Sequence, residues 1–289
     1  MDGFEKWVTS EIRRFVLEDE DNRMTGVDNS PFFDEPLVGF ASGGDPIFME
    51  FKEIIGDFHR TPQEVMASYC ENIGRNAPGA NEIGVISFVL PISEATRKEN
   101  ASMKDGPSER WSHTRLFGEM FNKRLQRHLA SMLEERGNLA VAPELDEHFT
   151  TVDDERVGKA STWSQRHVAF ACGLGTFGLS DGLITSRGKA HRLGSVVVEM
   201  PLKSPKRQKD IHAACIYYLN RGCKVCAKRC PVGAISEDGH NKVKCSEFVF
   251  GQADMIRERY GIEIYGCGLC QTGVPCEHID PVREGETDQ

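Results

Sequence analysis

The stretch CKVCAKRCP, residues 223–231, places two and then three residues between successive cysteines and ends in proline. A 4Fe–4S cubane is held by cysteine thiolates, and loops of this length set neighbouring sulfurs at the separation of its corners. Pro231 turns the chain away after the last cysteine and has no N–H that would need a partner. The stretch therefore predicts iron–sulfur ligation.

Eight of the ten cysteines lie in the last third of the chain, which is the number that two cubanes need. In proteins with two clusters, the cysteine before the proline ligates the other cluster. This rule predicts one cluster on Cys215, Cys223, Cys226 and Cys276, and another on Cys230, Cys245, Cys267 and Cys270. The outer cysteines depart from the usual spacing, because seven residues separate Cys215 from Cys223 and five separate Cys270 from Cys276.

Two other interpretations of the cysteines are weaker. A zinc site could use the two Cys-x2-Cys pairs, but it would leave Cys230 and Cys245 without a function. A disulfide framework is typical of short secreted chains, whereas this sequence has 289 residues and shows no signal peptide. We therefore expect reduced thiolates in a cytoplasmic protein.

Composition argues against two further classes of protein. The formal net charge of −9 disfavours a large nucleic-acid footprint, which would be basic. The longest stretch without a charge, from Val168 to Ser180, has 13 residues and is interrupted by glycine. It is too short to cross a membrane as a helix.

Hydrophobic patterns before residue 203 predict helices at 4–15 and about 111–136, and buried strands at 83–90 and 139–143. Polar composition predicts an exposed loop at 97–108 and an irregular segment at 147–159. Strand, long helix and strand in succession indicate a layered α/β domain over 1–202. Residues 203–289 would form a separate cluster-binding domain.

The segment GLGTFG, residues 173–178, matches the dinucleotide fingerprint G-x-G-x-x-G. A nucleotide-binding turn needs a preceding strand and a following helix, but here a helical pattern precedes the glycines and strand patterns follow them. Three glycines in six residues still indicate unusual backbone torsions or a close approach that a side chain would block. A cofactor against the backbone and a tight structural turn both remain open.

The order of the glycine segment and the cysteine motifs resembles epoxyqueuosine reductase, which forms a superfamily with the reductive dehalogenases. The resemblance covers 166–276 well and 83–136 loosely. The residues that carry it are Arg166-His-Val-Ala169, Gly173-Leu-Gly175-x-x-Gly178, Leu183-Ile184-Thr185, Gly188, Leu193-Gly194-Ser195 and the two cubane motifs.

This resemblance implies an α+β, nitroreductase-like core that binds cobalamin, followed by a ferredoxin-like module with two 4Fe–4S clusters. Electrons would pass singly through the clusters and reduce the cobalt of a base-off corrinoid, which removes an oxygen or a halide from the substrate. The residues that would bind the corrinoid are Arg166, Gly173, Gly175, Gly178, Gly194 and Ser195. At Gly175 the missing Cβ would make room for the macrocycle.

The chain departs from that family in its acid motif and its length. The family's reductase has an Asp-Tyr-His triplet at the start of the long helix, where this chain has Trp111-Ser-His113. His113 and Glu119 are therefore the candidate proton donors, although a histidine near a helix start is often a surface or capping residue. The sequence stops thirteen residues after Cys276, before any further helical domain for tRNA. With the acidic charge, this favours a small-molecule substrate over nucleic acid.

A basic stretch accompanies the clusters. Between residues 203 and 229 there are eight Lys or Arg residues and one acid, Asp210. This reversal of sign is either a solvated face or a docking site for an acidic ferredoxin or flavodoxin. The sequence predicts a cobalamin-dependent reductase of a small molecule. A corrinoid-free electron-transfer protein is the alternative, and a cluster-bearing sensor or scaffold is a third class.

Overall fold

The computed structural model describes residues 3–283, so the ends of both predicted domains, 1–2 and 284–289, lie outside the described residues. The helices are α1 Gly3–Glu18, α2 Ile47–Ile55, α3 Pro62–Asn72, α4 Glu94–Ser102, α5 Glu109–His113, α6 Glu119–Glu135, α7 Gln165–Ala171, α8 Ile216–Asn220, α9 Val225–Lys228, α10 Lys242–Gly251 and α11 Ala253–Tyr260. The strands are β1 Leu37–Ser42, β2 Gly84–Pro91, β3 Ala140–Val141, β4 Thr151–Asp154, β5 Gly158–Ser161, β6 Gly175–Phe177, β7 Leu183–Thr185, β8 His191–Val198, β9 Ile235–Ser236 and β10 Gly239–His240.

A four-stranded sheet of order β1-β2-β8-β3 forms the centre, and every neighbouring pair in it is antiparallel. All eight residues of β2 are buried, as the continuous apolar run predicts for a strand that is covered on both faces. Ile86 and Phe88 pack with α1 and α6, whereas Val85 packs with α2, α3 and α7. The core therefore has three layers, and the layered mixed α/β class predicted from the sequence is observed.

The predicted long helix is interrupted by one turn of π-helix, Thr114–Gly118, between α5 and α6. A π turn contains an extra residue and so rotates the following side chains relative to a regular helix. In the sequence, Phe117, Phe121, Leu125, Leu129 and Leu133 repeat every four residues, which predicts that Phe117 lies on the apolar face of the helix. In the structure Phe117 is 41% exposed. Leu125 and Leu129, beyond the interruption, are buried in the core as expected.

The prediction of an exposed loop at 97–108 is wrong, because α4 occupies the first half of it and buries Arg97 and Asn100. Both side chains bind the C-terminal segment. Arg97 Nε lies 3.4 Å from Glu277 Oε1, and Asn100 Nδ2 donates to Thr272 Oγ1 at 3.0 Å. Polarity here reflects contacts between two parts of the chain and not exposure to water. The prediction of an irregular segment at 147–159 is also wrong, since β4 and β5 pair there as a hairpin.

The cysteine-rich segment folds into short helices and the small hairpin of β9 and β10, and it packs on the entry to β8. The backbone N–H of Lys189 donates to Cys276 O at 2.9 Å, and that of Ala190 donates to Glu277 O at 3.0 Å. A Cβ at Gly188, whose φ is +72°, would collide with the Glu277 backbone. The turn before β8 therefore approaches the last cysteine directly. A ferredoxin-like fold for this segment remains a prediction.

Candidate functional site

The eight clustered cysteines line two separate cavities and form no disulfides. One cavity, called here the Cys215 cavity, is lined by Cys215, Cys223, Cys226 and Cys276. The other has a volume of about 430 Å³, is called here the cleft, and is lined by Cys230, Cys245, Cys267 and Cys270. These sets coincide with the two ligand sets that the sequence predicts.

The short helix α9 explains how neighbouring cysteines reach different cavities. Cys226 lies within α9 and faces the Cys215 cavity, whereas Cys230 follows its end and faces the cleft. The backbone N–H of Ala234 donates to Cys230 Sγ at 3.2 Å and so orients that sulfur. A zinc site on the two Cys-x2-Cys pairs would require both pairs in one place, but each pair lies on its own cavity. Within residues 3–283, no three His, Cys, Asp or Glu side chains converge on one metal position.

Burial makes the free thiols poor acids. Burial, together with the charges of nearby cysteines, raises the pKa of Cys226 to about 11 and that of Cys267 to about 12. A metal that coordinates a thiol removes its proton outright, which relieves this cost. The donor chemistry, four thiolates around each cavity, therefore fits an iron–sulfur cluster in each.

Lys189 lines both cavities and is 2% exposed. Burial lowers the pKa of Lys189, but the charges of the surrounding cysteines, Cys276 and Cys270 foremost, outweigh it and leave the pKa raised. Its Nζ donates to Ser180 Oγ at 3.0 Å. Lys189 thus places one positive charge between the two groups of thiolates.

One wall of the cleft comes largely from α5, α6, α7 and β8 and carries several charged side chains, although most of the cleft surface is apolar. Arg192 Nε lies 3.7 Å from Glu119 Oε2, and Asn122 Nδ2 donates to Glu119 Oε1 at 3.2 Å. Burial, followed by the charge of Arg115, lowers the pKa of Arg192 to about 10. Burial also lowers the pKa of His191 to about 4, so this imidazole is neutral at pH 7. The charged and titratable residues on this wall are Arg115, Glu119, Glu144, Arg166, His191 and Arg192.

The two candidate proton donors are placed differently. Glu119 lines the cleft, but its oxygens already face Arg192 and Asn122. His113 is not among the residues that line the cleft; its ring packs on Phe117 with centroids 5.5 Å apart. Burial lowers the pKa of His113. Glu144 was missed at the sequence level, although its position directly after a buried strand and Pro143 could have indicated it.

Of the residues that the resemblance assigns to the corrinoid, Arg166 lines the cleft and the glycines do not. A Cβ on Gly175 would collide with the Ile184 carbonyl oxygen across the β6–β7 hairpin, and one on Gly194 would collide with the ring of Phe88. Gly173 has φ +74° and packs on Pro205, and Gly178 packs on the side chain of Ile184. At Gly175 the missing Cβ makes room for the chain itself, but Gly173 and Gly175 also line a separate cavity of about 660 Å³. A role of these glycines in binding a cofactor stays a prediction.

Ser195 is fully buried in β8 and does not reach the cleft. Its hydroxyl accepts from Trp163 Nε1 at 2.9 Å and donates to Gln165 Oε1 at 2.7 Å. Because Gln165 lines the cleft, Ser195 acts on the site through that amide.

Comparison with known proteins finds similarity to epoxyqueuosine reductases. No protein-family model matches the chain. Over 209 residues the chain is 26% identical to the epoxyqueuosine reductase of Bacillus cereus, which covers 68% of this chain and 48% of that protein. It is 30% identical over 135 residues to the epoxyqueuosine reductase of Staphylococcus aureus, covering 43% and 33%. The resemblance stated from the sequence is confirmed. The chain spans about half of the first relative's length and a third of the second's.

Solved structures share the fold at low identity. A catabolic reductive dehalogenase superposes with a TM-score of 0.54 at 14% identity, covering 86% of this chain and 31% of that one. An epoxyqueuosine reductase solved with an epoxyqueuosine-modified tRNA stem loop superposes with a TM-score of 0.51 at 14% identity, covering 95% and 65%. No helix within residues 3–283 is long and apolar enough to cross a membrane.

Gly175→Ala is expected to destabilise the protein, because its new Cβ meets backbone that cannot move independently of the hairpin. Overpacking of this kind costs about 1–3 kcal/mol, so the thermal midpoint should fall by several degrees and the soluble yield should drop. Gly251→Ala is the control, since a Cβ there has no neighbour within 4 Å. Unchanged stability of Gly175→Ala, together with a selective loss of cofactor binding, would contradict the structural role.

Proposed function

We propose that this protein is an iron–sulfur reductase of a small molecule, resembling epoxyqueuosine reductase, with two 4Fe–4S clusters. The observation that carries the proposal is the division of eight cysteines into two sets of four on two cavities, one of which is the cleft. A pocket lined by a few convergent polar groups is the usual form of an active site.

The arrangement supports a route for electrons from the Cys215 cavity to the cleft. Cys226 and Cys230 belong to one short segment and face the two cavities, so two clusters held there would be neighbours. The buried ammonium of Lys189 would offset part of their negative charge. Net charge and hydrogen bonds to sulfur are among the features that set cluster potentials. The cluster on Cys230, Cys245, Cys267 and Cys270 would be the one that delivers electrons to the cleft.

A corrinoid, if held in the cleft, would supply the two-electron chemistry that removes an oxygen or a halide from the substrate. Within the cleft, Arg166 is fixed by donating from Nη1 to Asp181 O, and Arg192 is fixed by Glu119. These cleft side chains, and not the glycine segment, are the residues that would hold the cofactor. The sulfurs of the cleft cysteines form the facing wall. The chain's contribution is to bind, orient and exclude water, while the cofactor supplies the reaction.

The substrate class that we propose is a small molecule that enters the cleft. Arg115 and Arg192 lie on its polar wall and would attract an anionic group of the substrate. The net charge of −9 supports a small molecule over a polyanion. Glu119 would position Arg192 instead of acting alone as the acid, because its Oε2 lies 3.7 Å from Arg192 Nε and its Oε1 accepts a hydrogen bond from Asn122 Nδ2.

Single cysteine substitutions should separate the two clusters. Anaerobically purified wild-type protein is expected to contain about eight irons and eight sulfides, since each cubane has four of both. Cys245→Ala and Cys223→Ala should each lose roughly half of that iron, because each removes one ligand from one set only. Cys70→Ala, which changes a buried cysteine outside both cavities, is the control. Zinc without acid-labile sulfide in the wild type would refute the cluster assignment.

Corrinoid binding separates the reductase from the corrinoid-free electron carrier. Cobalamin titrated into cluster-loaded protein should bind, and Val249→Trp should weaken binding by at least roughly tenfold because the indole fills part of the cleft. Val243→Trp on the same helix is the matched control, since Val243 is 56% exposed and does not line the cleft. Absorbance under anaerobic conditions reports binding. Wild-type protein with full clusters that binds no cobalamin would favour the electron carrier.

The proposed electron donor is an acidic ferredoxin or flavodoxin. Four of the eight basic residues between 203 and 229 have partners within the chain: Arg207 pairs with Asp45, Arg221 with Tyr217, Lys224 with Glu237 and Arg229 with backbone carbonyls. The other four, which are exposed lysines, are Lys203, Lys206, Lys209 and Lys228. These lysines are the docking residues that we propose.

Stopped-flow reduction by a reduced acidic ferredoxin should slow as salt is added, because charge steering acts on the rate of encounter. The double variant Lys206→Glu and Lys209→Glu should reduce the low-salt rate several-fold. Lys6→Glu, an exposed lysine on α1, is the control for a change of net charge. Rates that stay constant with salt and are equal in all variants would rule out this docking site.

A further inference from the structure

Glu144 is a carboxyl group of the cleft to which the resemblance assigns no role. It follows β3 and Pro143 directly and lines the cleft with Glu119. A protein that adds hydrogen to a substrate carbon needs a proton donor within reach of the reacting atoms. Neither candidate from the sequence meets this need, because His113 is not part of the cleft and Glu119 is engaged with Arg192.

A chain of hydrogen bonds fixes the Glu144 side chain. Trp163 Nε1 donates to Ser195 Oγ at 2.9 Å, and Ser195 Oγ donates to Gln165 Oε1 at 2.7 Å. Gln165 Nε2 then donates to Glu144 Oε2 at 2.9 Å. Trp163 and Ser195 are almost completely buried, so the chain is anchored in the core. One oxygen of Glu144, Oε2, is therefore held in place by a series of hydrogen bonds that begins in the core.

The surroundings of Glu144 favour the protonated form. Burial and then the negative charge of Glu119 raise the pKa of Glu144. The amides of Gln165 and Gln126 and the more distant charge of Lys123 oppose this rise without cancelling it. Arg192 on β8 also faces the carboxyl, since the charge of Glu144 raises the pKa of Arg192. Two carboxyls in one site are a common way to keep one of them protonated at neutral pH.

We propose that Glu144 is the proton donor of the cleft and that Gln165, Ser195 and Trp163 are its positioning residues. The proposal rests on the reductase function proposed above. In a reductive removal, two electrons from the low-potential donor pass through the clusters, the bond from carbon to the leaving group breaks, and a C–H bond forms. The leaving group departs with the electron pair of the broken bond. Glu144 supplies the proton of the new C–H bond and regains one from water.

Infrared spectroscopy of the cluster-loaded protein tests the proton on Glu144 without requiring a substrate. A carboxylic acid band should persist at pH values above the ordinary glutamate pKa of about 4.3. The band should be absent from the Glu144→Gln variant. Glu258→Gln, which removes an exposed carboxyl on α11, should leave that band unchanged. Glu119→Gln should move its titration to lower pH, because a neighbouring negative charge is lost. Gln165→Leu should move it to higher pH, because the carboxylate loses a hydrogen bond.

A hydrophobic carbodiimide, which modifies protonated carboxyls, tests whether Glu144 can be reached from the cleft. Peptide mass spectrometry should find the adduct on Glu144 in the wild type, with a yield that falls as pH rises through the infrared titration. Val249→Trp should reduce that yield because it narrows the cleft. Absence of both the band and the adduct in protein with full iron content would overturn the assignment of Glu144 and leave the reductase proposal standing. Wild-type protein that contains no iron and no sulfide would instead refute the reductase proposal.

Discussion

The contact between the cysteine segment and the entry to β8 is the constraint on which the site depends. Backbone N–H groups of Lys189 and Ala190 bind the carbonyls of Cys276 and Glu277, and Gly188 is needed because the two backbones approach so closely. The cysteine segment also contacts α4, where the Asn100 side chain donates a hydrogen bond to Thr272 Oγ1. Buried hydrogen bonds of this kind are costly to leave unmade, so they fix one arrangement of the two parts. That arrangement forms the cleft.

The cysteine sets and the layered core could be predicted from the sequence because both depend on local patterns. The cysteine spacing and the Cys-Pro step predict two sets of four cysteines, and each set lines one of the two cavities. A continuous apolar run identified β2, although the antiparallel order of the sheet depends on pairings across more than a hundred residues. The prediction of an exposed loop at 97–108 failed because a polar sequence does not show whether its side chains contact water or a buried polar partner. Arg97 and Asn100 have such partners.

The side chains of the cleft outside the cysteines were harder to predict than the two cysteine sets. Clustered glycines suggest a binding site because a ligand can approach the backbone where there is no side chain. At Gly175 and Gly194, however, the groups that come close are the Ile184 carbonyl oxygen and the Phe88 ring of the same chain. Glu144, by contrast, carries little sequence signal, since its environment is built by Gln165 and Glu119 from other elements. A perturbed carboxyl in a cleft is a property of the tertiary structure. The environment of Glu144 could therefore be recognised only from the folded structure.

We propose above all that two iron–sulfur clusters occupy the two cavities, one of which is the cleft. Anomalous diffraction at the iron absorption edge, from crystals grown without oxygen, tests it most directly. We expect two separate iron peaks, one enclosed by Cys215, Cys223, Cys226 and Cys276 and the other by Cys230, Cys245, Cys267 and Cys270. A single peak shared between the sets, or a peak at the zinc edge with none at the iron edge, would contradict it.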